Sequence, residues 1–194
     1  FTQRGRIEYA LRGGRINTDF IDNSGGVDSS DREVNLKILL NGAMAAGELT
    51  RARRDRLLAE IESDIVLGVL ANNYAQTQAL SIMAARAAER LGEDRALIRM
   101  LEAEAGFDRR LEFLPSDDEL DERQKAGIGL TRPEHAVVLA YAKIHLTASL
   151  VATDIPDDPY FAAELERYFP ARVRRRFKAR IAEHPLRREI VSML

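Results

Sequence analysis

From Ser30 to the carboxyl end, apolar side chains recur at the three- and four-residue spacing of an α-helix, with glycine and proline punctuating the runs. That pattern predicts a multi-helix domain over residues 30–194. Ser30 and Glu33 stand at capping-box spacing, so a helix is expected to open at Ser30 and to carry Val34, Ile38 and Leu39 on one face. A long helical stretch follows from about residue 50 to residue 91, with Asn72-Asn73 as a point of interruption. The next helix covers about 94–105 and stops at Gly106. Ser116 with Glu119 caps a brief acidic helix through Lys125. Thr131, Pro133 and Glu134 start another, running to about residue 152. That helix is apolar almost all round, which predicts a central, buried position. Helices near 158–169, 171–183 and 187–194 complete the pattern.

The first 27 residues differ. Arg6-Ile7-Glu8-Tyr9-Ala10-Leu11 alternates polar and apolar, Gly13-Gly14 breaks the run, and Ile16 to Ile21 alternates again. Two strands are expected, either as a hairpin or as the last strands of a sheet whose other members lie upstream. The second arrangement is preferred, because an isolated two-stranded unit is marginal in water. Residues 1–29 are therefore read as a strand-turn element and residues 30–194 as a helical domain. The chain opens with Phe1, not methionine, in the middle of what reads as a strand, which suits a piece of a longer chain, and no charged-then-apolar leader follows it.

With 29 basic and 31 acidic side chains the net charge is −2, so nothing global draws the chain to nucleic acid or anionic lipid. No apolar run approaches the roughly 20 residues a membrane-spanning helix needs. Cysteine is absent, which removes disulfides, thiolate metal sites and cysteine nucleophiles. His135 and His145 lie nearly three helical turns apart, too far for chelation as a neighbouring pair, and structural roles are expected for them and for His184. Arg172, Arg174, Arg175, Arg176, Lys178 and Arg180 form a basic helix. It is read as a solvated or intersubunit face that the acidic run Asp117 to Glu122 is able to pair with. Tyr160, Phe161, Tyr168, Phe169 and Phe177 have spacings that suit a core.

The chemistry-bearing segment runs from Gly14 to Glu33. Gly25 and Gly26 let a backbone approach a ligand closely. Free amides at a helix start, joined by the Ser30 hydroxyl, favour a carboxylate or phosphate. Asn23 offers both a donor and an acceptor.

Asn23, Gly25, Gly26, Val27, Ser30 and Glu33 match Asn-x-Gly-Gly-Val-x-x-Ser-x-x-Glu, and the segment resembles the glutamate dehydrogenase signature. Asn17-Thr18-Asp19, Asp22 and Glu33-Val34-Asn35, with Asn72-Asn73-Tyr74-Ala75-Gln76 and Leu130-Thr131-Arg132-Pro133-Glu134, are similar to the large bacterial NAD-specific class. The resemblance implies that residues 1–29 are a β remnant of a Rossmann-like dinucleotide-binding domain. It implies oxidative deamination of L-glutamate to 2-oxoglutarate and ammonium, with NAD taking the hydride. Ser30 would bind the substrate's side-chain carboxylate and Val27 would line the same pocket. Asn23 would lie beside the nicotinamide, with Gly25 and Gly26 keeping the turn close to the cofactor. Ser29 and Arg32 depart from residues frequent in relatives, a matter of subfamily. The activating lysine, the proton-moving aspartate and the dinucleotide-binding glycine turn have no match here. No catalytic residue and no metal site is expected in this segment, and the segment alone is expected to be inactive. The implied partners are the upstream polypeptide and further copies of the chain in a cytoplasmic homo-oligomer, with neither nucleic acid nor membrane. The alternative from another class is a non-catalytic helical module for assembly or nucleic-acid binding.

Overall fold

Short-range side-chain hydrogen bonds mark the starts of several helices. In the computed structural model, which describes residues 1–194, Thr2 Oγ1 accepts from the Gly5 amide at 3.1 Å and opens α1 (Gln3–Leu11). Ser116 and Glu119 form a reciprocal capping box at the head of α6 (Asp117–Lys125). Glu119 is held below the usual carboxylate range by the Ser116 amide and hydroxyl that donate to it. At the head of α7 (Arg132–Val151) the Thr131 amide and hydroxyl donate to Glu134 at 2.6 and 2.8 Å. The remaining helices are α2 (Asp19–Asp22), α3 (Ser24–Ala45), α4 (Arg51–Ala85), α5 (Leu91–Glu104), α8 (Ala162–Tyr168), α9 (Ala171–Ala182) and α10 (Arg187–Met193). Gly106, just past the C-cap of α5, has a φ of +62°, a left-handed backbone that favours glycine.

The chain is all-helical, and the two expected strands are absent. Residues 6–11 belong to α1, and residues 14–18 are extended without a ladder before α2. No partner strand exists within these residues to take the backbone N–H and C=O groups. A helix satisfies them internally, and hydrogen-bonding demand outweighs a six-residue alternation. The buried Arg6 guanidinium finishes this region, donating to the Asn17 carbonyl at 2.9 Å and to Asp22 and Asp19 at 3.0 and 3.2 Å. A second correction concerns Ser30. The helix expected to open there begins at Ser24, so Ser30 sits almost two turns inside α3 and caps nothing. Residues 29 and 30, the expected division between two parts, are consecutive residues of α3. Asn72-Asn73 does not break α4, which is continuous over 35 residues.

The residues group into two compact units. The first comprises Phe1–Ser24 and Asn73–His145, and is built around Leu91, Ile98, Leu101, Leu120 and Val138, with Ile21, Leu80 and Ala136 in a smaller cluster. The second comprises Gly25–Asn72 and Leu146–Leu194, and packs Leu39, Leu40 and Ile61 against Phe169, Phe177 and Ile181. Helix α7 is buried only over its first two turns, Pro133 to Val138. Ile144 and Leu146 are exposed, so its expected buried position holds only for about the first third of its length. Tyr168, Phe169 and Phe177 are core residues, whereas Tyr160 is 80% exposed. No helix is long and apolar enough to cross a membrane.

Candidate functional site

Helix α3 begins with Ser24-Gly25-Gly26-Val27, separated from the end of α2 at Asp22 by Asn23 alone. Neither Gly25 nor Gly26 takes a positive φ; both have helical backbones, so conformational freedom is not what the glycines supply. Within the second unit the start of α3 has two unlike faces. Gly26, Val27 and Ser30 share one face at helical spacing and are open to solvent, Val27 at 71%. On the opposite face Arg32 and Asn35 are buried among polar partners, while Leu36, Leu39 and Leu40 enter the core.

That buried face pins the helix. Asp28 accepts from Arg32 Nε at 3.2 Å and from Asn72 Nδ2 at 2.8 Å. The Arg32 guanidinium donates to the Tyr168 carbonyl, lies 5.2 Å from the Tyr168 ring centre and rests against Gly68. A Cβ at position 68 would stand 3.0 Å from that guanidinium, so the glycine leaves room for it. Tyr168 Oη donates to Asp31 at 2.6 Å and accepts from Asn35 Nδ2 at 2.8 Å. Burial, then the Asp31 bond, pushes the Tyr168 phenol far above its ordinary value, so it stays protonated. Ser29 Oγ donates back to the Gly25 carbonyl at 2.7 Å.

Asn23 immediately precedes α3 and belongs to the first unit. Its backbone N–H donates to the Asp19 carbonyl at 2.9 Å, and its residue surface is exposed. In the same unit Ser24 Oγ lies 2.6 Å from Asn73 Oδ1, to which it donates. The two consecutive asparagines of α4 therefore each hold a residue of the glycine segment, Asn73 through Ser24 and Asn72 through Asp28. The sequence motif flagged these asparagines without giving them a task. A polar pair at neighbouring positions of an otherwise apolar stretch is the signal that such a task exists.

The third motif folds onto the first as well. Arg132 Nε donates to Asn17 Oδ1 at 2.5 Å, and its terminal nitrogens reach Ser81 Oγ at 2.9 Å and the Thr77 carbonyl at 3.0 Å. Asn17 in turn donates to Asp22 at 3.0 Å.

The histidines have structural partners. His135 Nε2 stands 3.1 Å from Asp94, and His145 lies 3.5 Å from Glu104. His184 Nε2 faces the Asn35 carbonyl at 3.1 Å while its Nδ1 accepts from the Leu186 amide at 3.1 Å. Both bonds suit the neutral ring, and burial holds the imidazole below its ordinary value. Asp117 pairs with Arg99 and Arg109, and Asp121 with Arg95. In the second unit Arg172, Lys178 and Arg180 pair with Glu60, Glu166 and Glu48.

Residues 1–83 match the family model described as bacterial NAD-glutamate dehydrogenase, catalytic domain, and residues 127–193 match glutamate dehydrogenase, C-terminal. NAD-specific glutamate dehydrogenases are similar to this chain over almost all of its residues. The Pseudomonas aeruginosa protein is 51% identical over 98% of the chain, that of Halomonas elongata 47% over 98%, and that of Mycobacterium tuberculosis 45% over 100%. The chain spans 12% of the length of each of these relatives.

Proposed function

We propose, because this chain belongs to the family of bacterial NAD-glutamate dehydrogenases, that it serves a large enzyme that converts L-glutamate and NAD to 2-oxoglutarate, ammonium and NADH. The observation that carries the reading is the two-faced start of α3. Val27 and Ser30 are exposed on one side, and the opposite side is locked by Asp28, Arg32 and Asn35. A helix held this firmly by one face presents the other in a fixed geometry, which substrate binding requires.

On this reading Ser30 Oγ donates to the side-chain carboxylate of glutamate, and Val27 packs against its methylenes. Asn23, Gly25 and Gly26 are assigned to the nicotinamide end of NAD. The exposed Asn23 side chain offers a donor and an acceptor suited to an amide-bearing cofactor. NAD, when bound, accepts the hydride, while these residues orient it. Lysine and aspartate groups for carbonyl activation and proton transfer are assigned to other parts of the enzyme. The exposed Leu67, Leu70, Tyr74 and Ile144 support a place within a larger molecule that covers them, which we take to be a cytoplasmic homo-oligomer.

Glutamate-dependent NADH production by the full-length enzyme tests the assignment. Ser30→Ala is expected to raise the KM for glutamate about tenfold, the loss of one hydrogen bond to a charged group. Asn23→Ala is expected to raise the KM for NAD. Unchanged kinetics in both variants would overturn the site.

A further inference from the structure

In the second unit the arginines that form no ion pair are Arg51, Arg53, Arg56, Arg174, Arg175 and Arg176. Every other arginine of the unit has a carboxylate partner, from Arg32 with Asp28 to Arg187 and Arg188 with Asp157. The unpaired ones lie on two adjoining elements. Arg172 with Glu60 at 2.9 Å and Arg180 with Glu48 at 2.7 Å lay α9 antiparallel to the start of α4. Arg176 falls midway between those two pairs at helical spacing, while Arg56 and Arg53 continue the face of Glu60. Arg51 and Arg53 also stand in the first turn of α4, at the positive end of its dipole, where a cation is disfavoured. A patch of one sign without counter-charges, framed by neighbours that have them, is a surface that a negative partner completes.

The same unit carries the opposite surface. Asp154 and Asp158, on the loop after α7, are exposed and form no ion pair. The loop is pinned between them. Asp157 pairs with Arg187 and Arg188, and Arg188 donates to the Val151 and Thr153 carbonyls at 2.9 and 2.7 Å. Asp158 accepts from the Tyr160 amide at 2.8 Å. Tyr160 itself is 80% exposed, and an aromatic ring beside free carboxylates suits a guanidinium, which stacks as well as pairs.

We propose that the arginine face of α4 and α9 docks on the Asp154–Tyr160 loop of a second copy of the chain. The inference rests on the homo-oligomer of the proposed function and names one of its contacts; it does not depend on the assignment of Ser30. Both surfaces belong to one chain, so symmetry repeats the contact in every copy. The carboxylates of the loop take the guanidinium forks, and the pinned loop loses little freedom on binding. Neither the start of α4 nor α9 exposes a large apolar or aromatic side chain, so the face offers no platform for base stacking and no anchor for a bilayer.

Sedimentation velocity of the full-length enzyme across a dilution series tests the contact. Arg175→Glu with Arg176→Glu is expected to raise the concentration at which the assembly dissociates at least about tenfold, since like charges then face each other. Adding Asp154→Arg and Asp158→Arg to the same chain puts opposite signs back across the contact and is expected to restore the assembly. All four side chains are exposed, and circular dichroism checks the fold of each variant. A fourfold variant that assembles no more tightly than the arginine double variant overturns the proposal. Loss of binding to a short DNA duplex on arginine reversal, with assembly unchanged, overturns it in favour of a nucleic acid. A full-length enzyme that stays monomeric overturns the homo-oligomer and this contact together, whereas an oligomer indifferent to arginine reversal overturns the contact alone.

Discussion

Replacing Glu134 with alanine tests the polar core of the first unit. Glu134 is 0% exposed, and its carboxylate takes parallel bonds from both terminal nitrogens of Arg123 at 2.8 Å, together with the Thr131 amide and hydroxyl. Removing one member of a buried pair strands the other, a loss of about 3–5 kcal/mol. The lost cap at the head of α7 adds about 1 kcal/mol. Glu134→Ala is therefore expected to destabilise the fold by about 5 kcal/mol. Urea unfolding followed by far-ultraviolet circular dichroism reads this as a midpoint lowered by about 2.5 M, for a slope near 2 kcal/mol per molar. The double change Arg123→Met with Glu134→Leu removes both charges and fills the space. It is expected to lose less than about 2 kcal/mol, because a buried pair compensates its own desolvation without adding much net stability. A Glu134→Ala protein within about 1 kcal/mol of the parent would refute the reasoning. So would a double variant as unstable as the single one: the first result means that Arg123 finds water when its partner leaves, the second that the pair itself contributes net stability.

Two further perturbations read other parts of the molecule. At Gly129 an added Cβ would stand 2.1 Å from the Ala87 carbonyl carbon, a backbone atom that cannot swing away. Gly129→Ala is expected to cost at least about 2 kcal/mol by urea unfolding, within the range for overpacking. The folded-state pKa of His184 is lowered by burial, so the native state binds its proton less readily than the unfolded chain does. Its contribution to stability is complete above the unfolded value of about 6.5 and declines as pH falls from there towards the lower folded value. Thermal unfolding between pH 7.5 and 5 is expected to show that decline, and His184→Gln is expected to flatten it.

The residues that read most reliably from sequence are those whose partners lie within one turn. Ser116 with Glu119 and Thr131 with Glu134 form their caps as their spacing predicts, because a capping box closes through bonds between residues three apart. The carboxyl-terminal helices are equally local. The candidate site is legible at the level of its motif, yet its mechanical support is not. Nothing in the spacing of Asp31, Arg32 and Asn35 announces that Tyr168, more than a hundred residues away, clasps all three.

Helical period, cap chemistry and the glycine signature are properties of neighbouring residues, and the amino-acid order alone determined them. The state of residues 6–21 was a matter for tertiary structure. A strand is defined by the neighbour that pairs with it, and without one the backbone takes its hydrogen bonds from itself. The same holds for the start of α3, which lies at Ser24 and not at Ser30. Tertiary structure also decided that Ser30 faces solvent while Arg32 is buried. Those outcomes rest on contacts with α4 and Tyr168, which short-range spacing does not encode.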